Sequence, residues 1–356
     1  MKDLIGLTHG ELKAELTGMG EKPFREKQLW HWMYNRGETD FQKMTTLAKD
    51  LRAKLAENYV VGRPAVLKET TSADSTRKWL FGFQDKRSVE TVYIPEEDRG
   101  AVCISTQIGC PNACVFCHTG SQKMERNLTA GEIVGQFLAA RDSYGEWALA
   151  AEQPRMLSNI VVMGMGEPLY NYENVKNALT ILSDGDGVAI SQRRITLSTS
   201  GVAPMIPQLA RDLSVKLAIS LHAPTNEIRD RIMPINRKHP LEELMRACKE
   251  FQEIGGTRQY ITMEYVMLDG VNDSPADAHA LIRLVKGLAV KFNLIPFNEW
   301  RGCPLKCSPK KRIMQFSQIL EDAHYAAPVR VSRGQDIMAA CGQLKTAVLN
   351  KESNNT

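Results

Sequence analysis

The feature that most restricts the architecture is a long alternation in the second half of the chain. Strand-like runs NIVVMG (159–164), RITLSTS (194–200), VKLAISL (215–221), TMEYVML (262–268), VKFNLIP (290–296) and PVRVS (328–332) are separated by amphipathic stretches of helical length. A strand followed by a returning helix delivers the next strand in the same direction, so repeated units predict a parallel sheet, open or barrel-like. Capping signals mark several helix starts: Thr129 with Glu132, and Ser274-Pro275 and Ser308-Pro309 with proline just after a capping serine. Earlier runs, KWLFGF, SVETVYIP and AVCISTQ, also read as strands bounded by Gly, Pro and Asp. In a barrel, ligands gather at the C-terminal ends of the strands, and here those ends are rich in Gly, Ser, Glu, His and Asn.

The first sixty residues differ. Thr8 to Glu11 forms a capping box and the hydrophobic spacing is helical, which predicts a small accessory module over 1–62. Connecting strands follow at 63–95, the βα core at 96–345, and a polar flexible tail at 346–356. In the module, basic residues such as Lys13, Arg25 and Arg36 are interleaved with Trp30, Trp32 and Tyr34, a mixture that suits nucleic acid as well as a solvated face around an aromatic core. A net charge of +4 permits an RNA partner without demanding one. The N-terminus has no apolar stretch after a basic start, and no run is long enough to span a membrane, so a cytoplasmic protein is expected.

Eight cysteines in 356 residues are too few for a disulfide scaffold, and three are crowded into GCPNACVFCHTG: Cys110, Cys114 and Cys117. The spacing C-x3-C-x2-C after a strand lets three thiolates converge on a four-iron cluster, leaving one iron open for another ligand. The alternative is a structural zinc in an RNA-binding protein, with a fourth ligand from Cys303, Cys307 or His118. Further on, GMGEP carries Gly166 and Glu167 after the next strand, and STSG (Ser198), SLH (Ser220, Leu221, His222) and IPFN (Asn298) end later strands with hydrogen-bonding groups. Singly each is a common turn or cap; together they outline one rim.

The cysteine loop resembles the signature of radical S-adenosylmethionine enzymes. The ordered set CISTQIGCPNACVFCHTG, ERNLTAGEIVGQ, VVMGMGEPLYN, RRITLSTSGV, AISLHAPTNEIRD and ACGQL resembles the RlmN family of RNA adenine-C2 methyltransferases and its C8-methylating relative Cfr. The resemblance implies an α/β fold, a partial (β/α)6-type radical SAM barrel with a small N-terminal helical RNA-binding domain. It implies a [4Fe-4S] cluster on Cys110, Cys114 and Cys117, and S-adenosyl-L-methionine held by Gly166, Glu167, Ser198, Ser220, Leu221, His222 and Asn298. The implied partners are 23S rRNA, tRNA and a reducing donor of flavodoxin type, with no membrane and a monomeric state. Lys123 and Arg126, near the helix start, are candidate phosphate contacts.

The C2 carbon of adenine has no lone pair with which to displace a methyl group from a sulfonium, so the reaction needs a one-electron route. A cysteine can take the methyl by displacement and then lose a hydrogen atom from it. By resemblance, Cys341 is the methylated cysteine, Cys103 the one that releases the product through a transient disulfide, and Glu90 the proton acceptor. A partly buried carboxylate at Glu90 is expected to have a raised pKa suited to that task. Cys248, Cys303, Cys307 and His118 receive no role.

Overall fold

The computed structural model describes residues 1–97, 99–147, 155–256 and 260–345. The proposed tail at 346–356 lies outside these residues.

One nine-stranded sheet organises the chain: β1 (Ala65–Thr71), β2 (Arg77–Gly82), β3 (Ser88–Pro95), β4 (Gly100–Cys103), β5 (Leu157–Val162), β6 (Ile195–Thr199), β7 (Lys216–Ser220), β8 (Ile261–Met267) and β9 (Val290–Pro296). They lie side by side in chain order. The pairs from β1 to β4 are antiparallel and those from β4 to β9 parallel, giving six parallel strands. The two ends of the sheet, β1 and β9, do not pair, so the parallel part is an open barrel with an antiparallel extension.

The helices α4 (Ala130–Tyr144), α5 (Tyr172–Ser183), α6 (Ile206–Asp212), α7 (Asn226–Ile232), α8 (Leu241–Gly255), α9 (Pro275–Leu284) and α10 (Lys310–Asp322) connect or follow the parallel strands. Thr129 and Ser274 make the anticipated capping boxes. Ser308 does not cap: Pro309 occupies the cap position of α10, and the Ser308 hydroxyl has no hydrogen-bond partner among the described residues. The parallel strands carry runs of fully buried Ile, Leu, Val and Met, as strands covered on both faces require.

One strand reading changes. The run at 328–332 forms only an isolated bridge, Leu294 with Val329, because Pro328 has no N–H and the chain then leaves the sheet. Strand β1 carried no alternation to read: it is an edge strand with nearly every residue exposed.

The N-terminal module comprises α1 (His9–Gly18), α2 (Arg25–Trp30), a π-turn at His31–Asn35 and α3 (Lys49–Asn58), with a two-residue parallel pairing of Lys2–Asp3 and Tyr59–Val60. Trp30 and Tyr34, four residues apart, share the buried face. Trp30 stacks on His9 at 3.7 Å and donates to Asp184 at the end of α5 (3.0 Å), so it docks the module on the barrel and does not form an open aromatic platform. Trp32 remains half-buried, with Arg36 over its ring. Arg126 is paired to Asp85 and Glu132 within the protein, which answers its charge internally. No helix among the described residues is long and apolar enough to cross a membrane.

Candidate active site

Because β4 to β9 are parallel, their C-terminal ends open on one edge, and the loops leaving them enclose a cavity. Cys110, Cys114 and Cys117 line one side. Facing them are Gly164, Gly166 and Glu167 after β5, Ser198 to Ser200 at β6, Ser220 and His222 at β7, Glu264 on β8, and Asn298 after β9. Leu221 faces away, fully buried, and does not line the cavity; its carbonyl accepts from Arg229. Its neighbours Ser220, the last residue of β7, and His222, just beyond the strand, line the cavity instead.

The GMGEP glycines have a packing reason. A Cβ on Gly164 would lie 2.6 Å from Ser105 Oγ, and one on Gly166, whose φ is +104°, would lie 2.6 Å from Gln107 Cβ. The loop after β5 therefore fits closely against the exit of β4. Glu167 is buried and its carboxylate is already engaged. It accepts from Thr199 Oγ1 (2.8 Å), Ser200 N (2.7 Å), Ser200 Oγ (2.6 Å) and Leu169 N (3.1 Å). Burial pushes its carboxyl pKa up, and the Ser200, Thr199 and Leu169 bonds oppose the rise.

His222 has a left-handed backbone, φ +56°, and its ring lies edge-on to Phe116 at 4.8 Å. Its Nδ1 accepts the Val266 N–H at 3.0 Å, which leaves the proton of the neutral ring on Nε2. Burial pushes its pKa down to about 3, so the ring is neutral at physiological pH.

A second cavity adjoins the first, and both are bordered by Cys117, Met163, Gly164, Ile295, Asn298, Cys341 and Gly342. Cys103, at the end of β4, lines the second cavity with Cys341, Arg330 and Arg333. Cys103 and Cys341 are both free thiols. Burial pushes Cys103 up to about 12, Cys341 adds to the rise, and Arg330 opposes it. Among the bonds that hold the Cys341 segment against its surroundings are His118 N to Gly342 O (2.7 Å), Thr119 Oγ1 to Leu344 O (2.7 Å), Asn298 Nδ2 to Cys341 O (3.2 Å) and Gln343 Nε2 to Glu299 O (3.1 Å).

Glu90 sits on β3 under the same segment. Lys78 Nζ lies 2.9 Å from its carboxylate, and Lys345 N donates to it at 2.8 Å. Burial pushes the Glu90 pKa up, with Lys78 opposing. Lys78 also donates to Met338 O (3.1 Å), tying the carboxylate and the Cys341 segment together.

His118 stacks on Trp300 at 4.4 Å, Trp300 donates to Phe116 O, and Cys303 donates to Val115 O. These groups buttress the cysteine loop through its backbone. Among the described residues no three His, Cys, Asp or Glu side chains gather as around a single metal ion. The donor set fits a four-iron cluster, in which each thiolate takes a different iron. Burial pushes all three thiols up, Cys110 to about 12, so metal binding must displace protons from them. Thr199 and Ser200 lie within the STSG motif and Asn112 within the cysteine loop, though sequence reasoning named none of the three as a site residue; Glu264 was missed, and a carboxylate within the apolar run TMEYVML was its available signal.

Six parallel strands with a three-cysteine loop and a glycine–glutamate loop on one rim define a radical S-adenosylmethionine enzyme. The radical SAM superfamily matches residues 104–282, and the ribosomal RNA large subunit methyltransferase N-terminal domain matches residues 2–61. The chain is 62% identical to the dual-specificity RNA methyltransferase RlmN of Paramagnetospirillum magneticum over 97% of its length and 76% of that protein's. It is 61% identical to RlmN of Rhodospirillum rubrum, over 99% of this chain and 82% of that one. A radical SAM methyltransferase from Sphaerobacter thermophilus superposes with a TM-score of 0.90 at 43% identity, over 97% of this chain and 99% of that one. The chain belongs to the RlmN family of radical SAM RNA methyltransferases, enzymes that use a [4Fe-4S] cluster and S-adenosylmethionine.

Proposed function

We propose that the chain methylates C2 of an adenosine in 23S rRNA and of the adenosine 3′ of the anticodon in tRNAs, with Cys341, Cys103 and Glu90 as its reacting groups. The observation that carries this reading is the second cavity, where Cys103 and Cys341 meet beside the three-cysteine loop. Cys110, Cys114 and Cys117 would hold the cluster. Gly166, Glu167, Ser198, Ser220, His222 and Asn298 would bound the S-adenosylmethionine site, with Leu221 behind its wall. When bound, these groups supply a methyl donor and one-electron cleavage of a sulfonium bond.

The chain's residues do the rest. Cys341 takes a methyl group on sulfur, and after loss of a hydrogen atom that carbon bonds to C2. Glu90 accepts the C2 proton as the adduct gives up its odd electron, for which a cluster held by Cys110, Cys114 and Cys117 would be the acceptor. Cys103 then attacks the Cys341 sulfur; the carbon keeps the C–S electron pair and gains a proton, and a disulfide remains. The base must leave its stack to reach this chamber, and Arg330 and Arg333 at the second cavity suit phosphate contacts. The 1–62 module would extend the RNA surface. A cytoplasmic monomer with a flavodoxin-type donor completes the proposal.

The test is nucleoside mass spectrometry of rRNA and tRNA from a deletion strain with and without the gene restored. Restored 2-methyladenosine in both supports the proposal, whereas 8-methyladenosine rejects C2 selectivity. Anaerobically reconstituted protein with one zinc and no iron would reject the cluster.

A further inference from the structure

Arg229, on α7, is fully buried, and among the described residues it forms no ion pair. Every hydrogen bond it makes goes to a neutral acceptor: Nε to Leu221 O (3.0 Å), Nη1 to Asn236 Oδ1 (3.0 Å), and Nη2 to Ser200 O (2.6 Å) and Ser220 O (3.1 Å). Burial pushes its pKa down to about 10, which still leaves it cationic at neutral pH. The neighbouring carboxylate, Asp230, is half-buried and makes no ion pair with it, so the buried positive charge is costly and calls for a further partner.

The surroundings say where that partner lies. The helix carrying Arg229 abuts the cysteine loop, with Val115 N donating to Ile232 O at 3.0 Å. Asn112 in the loop donates to Ser200 Oγ (2.6 Å), and the carbonyl of the same Ser200 receives the guanidinium. Cys114 is the first of three groups whose negative charge would favour the protonated arginine, ahead of Cys248 and Asp230, and Arg229 in turn opposes the rise of the Cys114 thiol. Arg229 itself does not line the cavity.

We infer that Arg229 is the fixed buried countercharge of the iron–sulfur site, held behind the Cys114 side of the cavity to set the cluster's reduction potential. The inference rests on the reading that Cys110, Cys114 and Cys117 carry a four-iron cluster. Three thiolates on an oxidised 2+ cluster total one negative charge; one electron from a low-potential donor makes two. A nearby cation stabilises the second state more than the first, and low polarity sustains the effect. The four neutral acceptors fix the guanidinium without cancelling its charge. Arg229 is thus a positioning and tuning residue, remote from the reacting atoms.

The experiment is an EPR-monitored redox titration of the anaerobically reconstituted full-length enzyme. R229Q should shift the midpoint potential to more negative values, while R229K, which keeps the charge but fewer hydrogen bonds, should stay near wild type. D230N removes the half-buried carboxylate beside Arg229 yet leaves an oxygen for its bond from Asn236 Nδ2 (2.7 Å), and should shift the potential upward. Unchanged potentials in R229Q and D230N, whatever their melting temperatures, would overturn the inference in favour of a purely structural tie between strand ends. If R229Q does not fold, the upward shift in D230N and its absence in R229K decide the matter. Failure of wild-type protein to take up iron is a separate result, and sinks the cluster reading itself.

Discussion

Lys78 Nζ lies 2.9 Å from the carboxylate of Glu90, and the same ammonium donates to the carbonyl of Met338, three residues before Cys341. One side chain thus touches both the proposed proton acceptor and the segment that carries Cys341, the proposed methyl carrier. Burial raises the Glu90 pKa, and Lys78 is the chief influence holding the rise in check.

The first prediction concerns pH. Glu90 accepts a proton only when ionised, so turnover should fall as pH drops through a midpoint above the ordinary carboxylate range. K78M removes the opposing charge and should move that acid limb to higher pH, where a tenfold gain in proton affinity corresponds to about 1.4 kcal/mol. E90Q should lower product release by roughly 10²–10⁴-fold. Single-turnover pH–rate profiles check all three; an acid limb unmoved in K78M would remove Lys78 from the argument.

The two thiols of the second cavity should fail differently. C341A should form no methylated base, because the methyl carrier is gone. C103A should carry chemistry as far as the covalent RNA–protein thioether and stop, accumulating a protease-sensitive adduct visible on denaturing gels. Normal turnover in C103A would require another resolving group.

Arg330 opposes the rise of the Cys103 thiol pKa. R330M should therefore leave less thiolate at neutral pH and slow disulfide formation, with the deficit shrinking as pH rises because the thiol then ionises without help. Quantifying adduct decay from pH 7 to 10 measures this. A pH-independent deficit would point to RNA binding instead.

Glu167 gathers buried donors from Thr199, Ser200 and Leu169. E167A strands them, at about 1–3 kcal/mol for each unsatisfied group, unless water enters. Thermal unfolding of the cluster-free protein should show the loss, with E167Q intermediate. A wild-type melting temperature in E167A would mean that these donors find other partners.

Asp74 fixes the far end of the catalytic segment by accepting the Gly334 N–H at 3.0 Å, while Asp336 binds Ser72 and Ala73. Burial would raise the Asp74 pKa, yet the bonds from Thr76 and Gly334 outweigh it and hold it at about 2. The carboxylate therefore anchors the segment above the usual aspartate range and lets go only as pH falls toward that value. D74A should leave S-adenosylmethionine binding intact and slow methylation of Cys341, measured by mass spectrometry of the protein. An unchanged rate would show the nearer bonds from Asn298 and Thr119 to be sufficient.

Much of the site was legible because a parallel strand order sends every strand's C-terminal end to one edge. The sequence alone therefore placed the cysteine loop, GMGEP, STSG, SLH and IPFN on one rim, and strand and helix spacing predicted a parallel sheet, with the partial barrel implied by the family resemblance. It could not determine which side chains at that rim face the cavity or which are consumed inside the protein. Leu221 turns into the core, Glu167 is saturated by its neighbours, and Arg126 and Trp30 serve internal contacts. Nor did any local pattern mark Arg229 as buried, Lys78 as a bridge, or Cys103 as a neighbour of Cys341. Those facts follow from contacts between segments distant in the chain. Burial, and with it pKa and charge, belongs to the packed assembly, whereas periodicity is a property of each segment by itself.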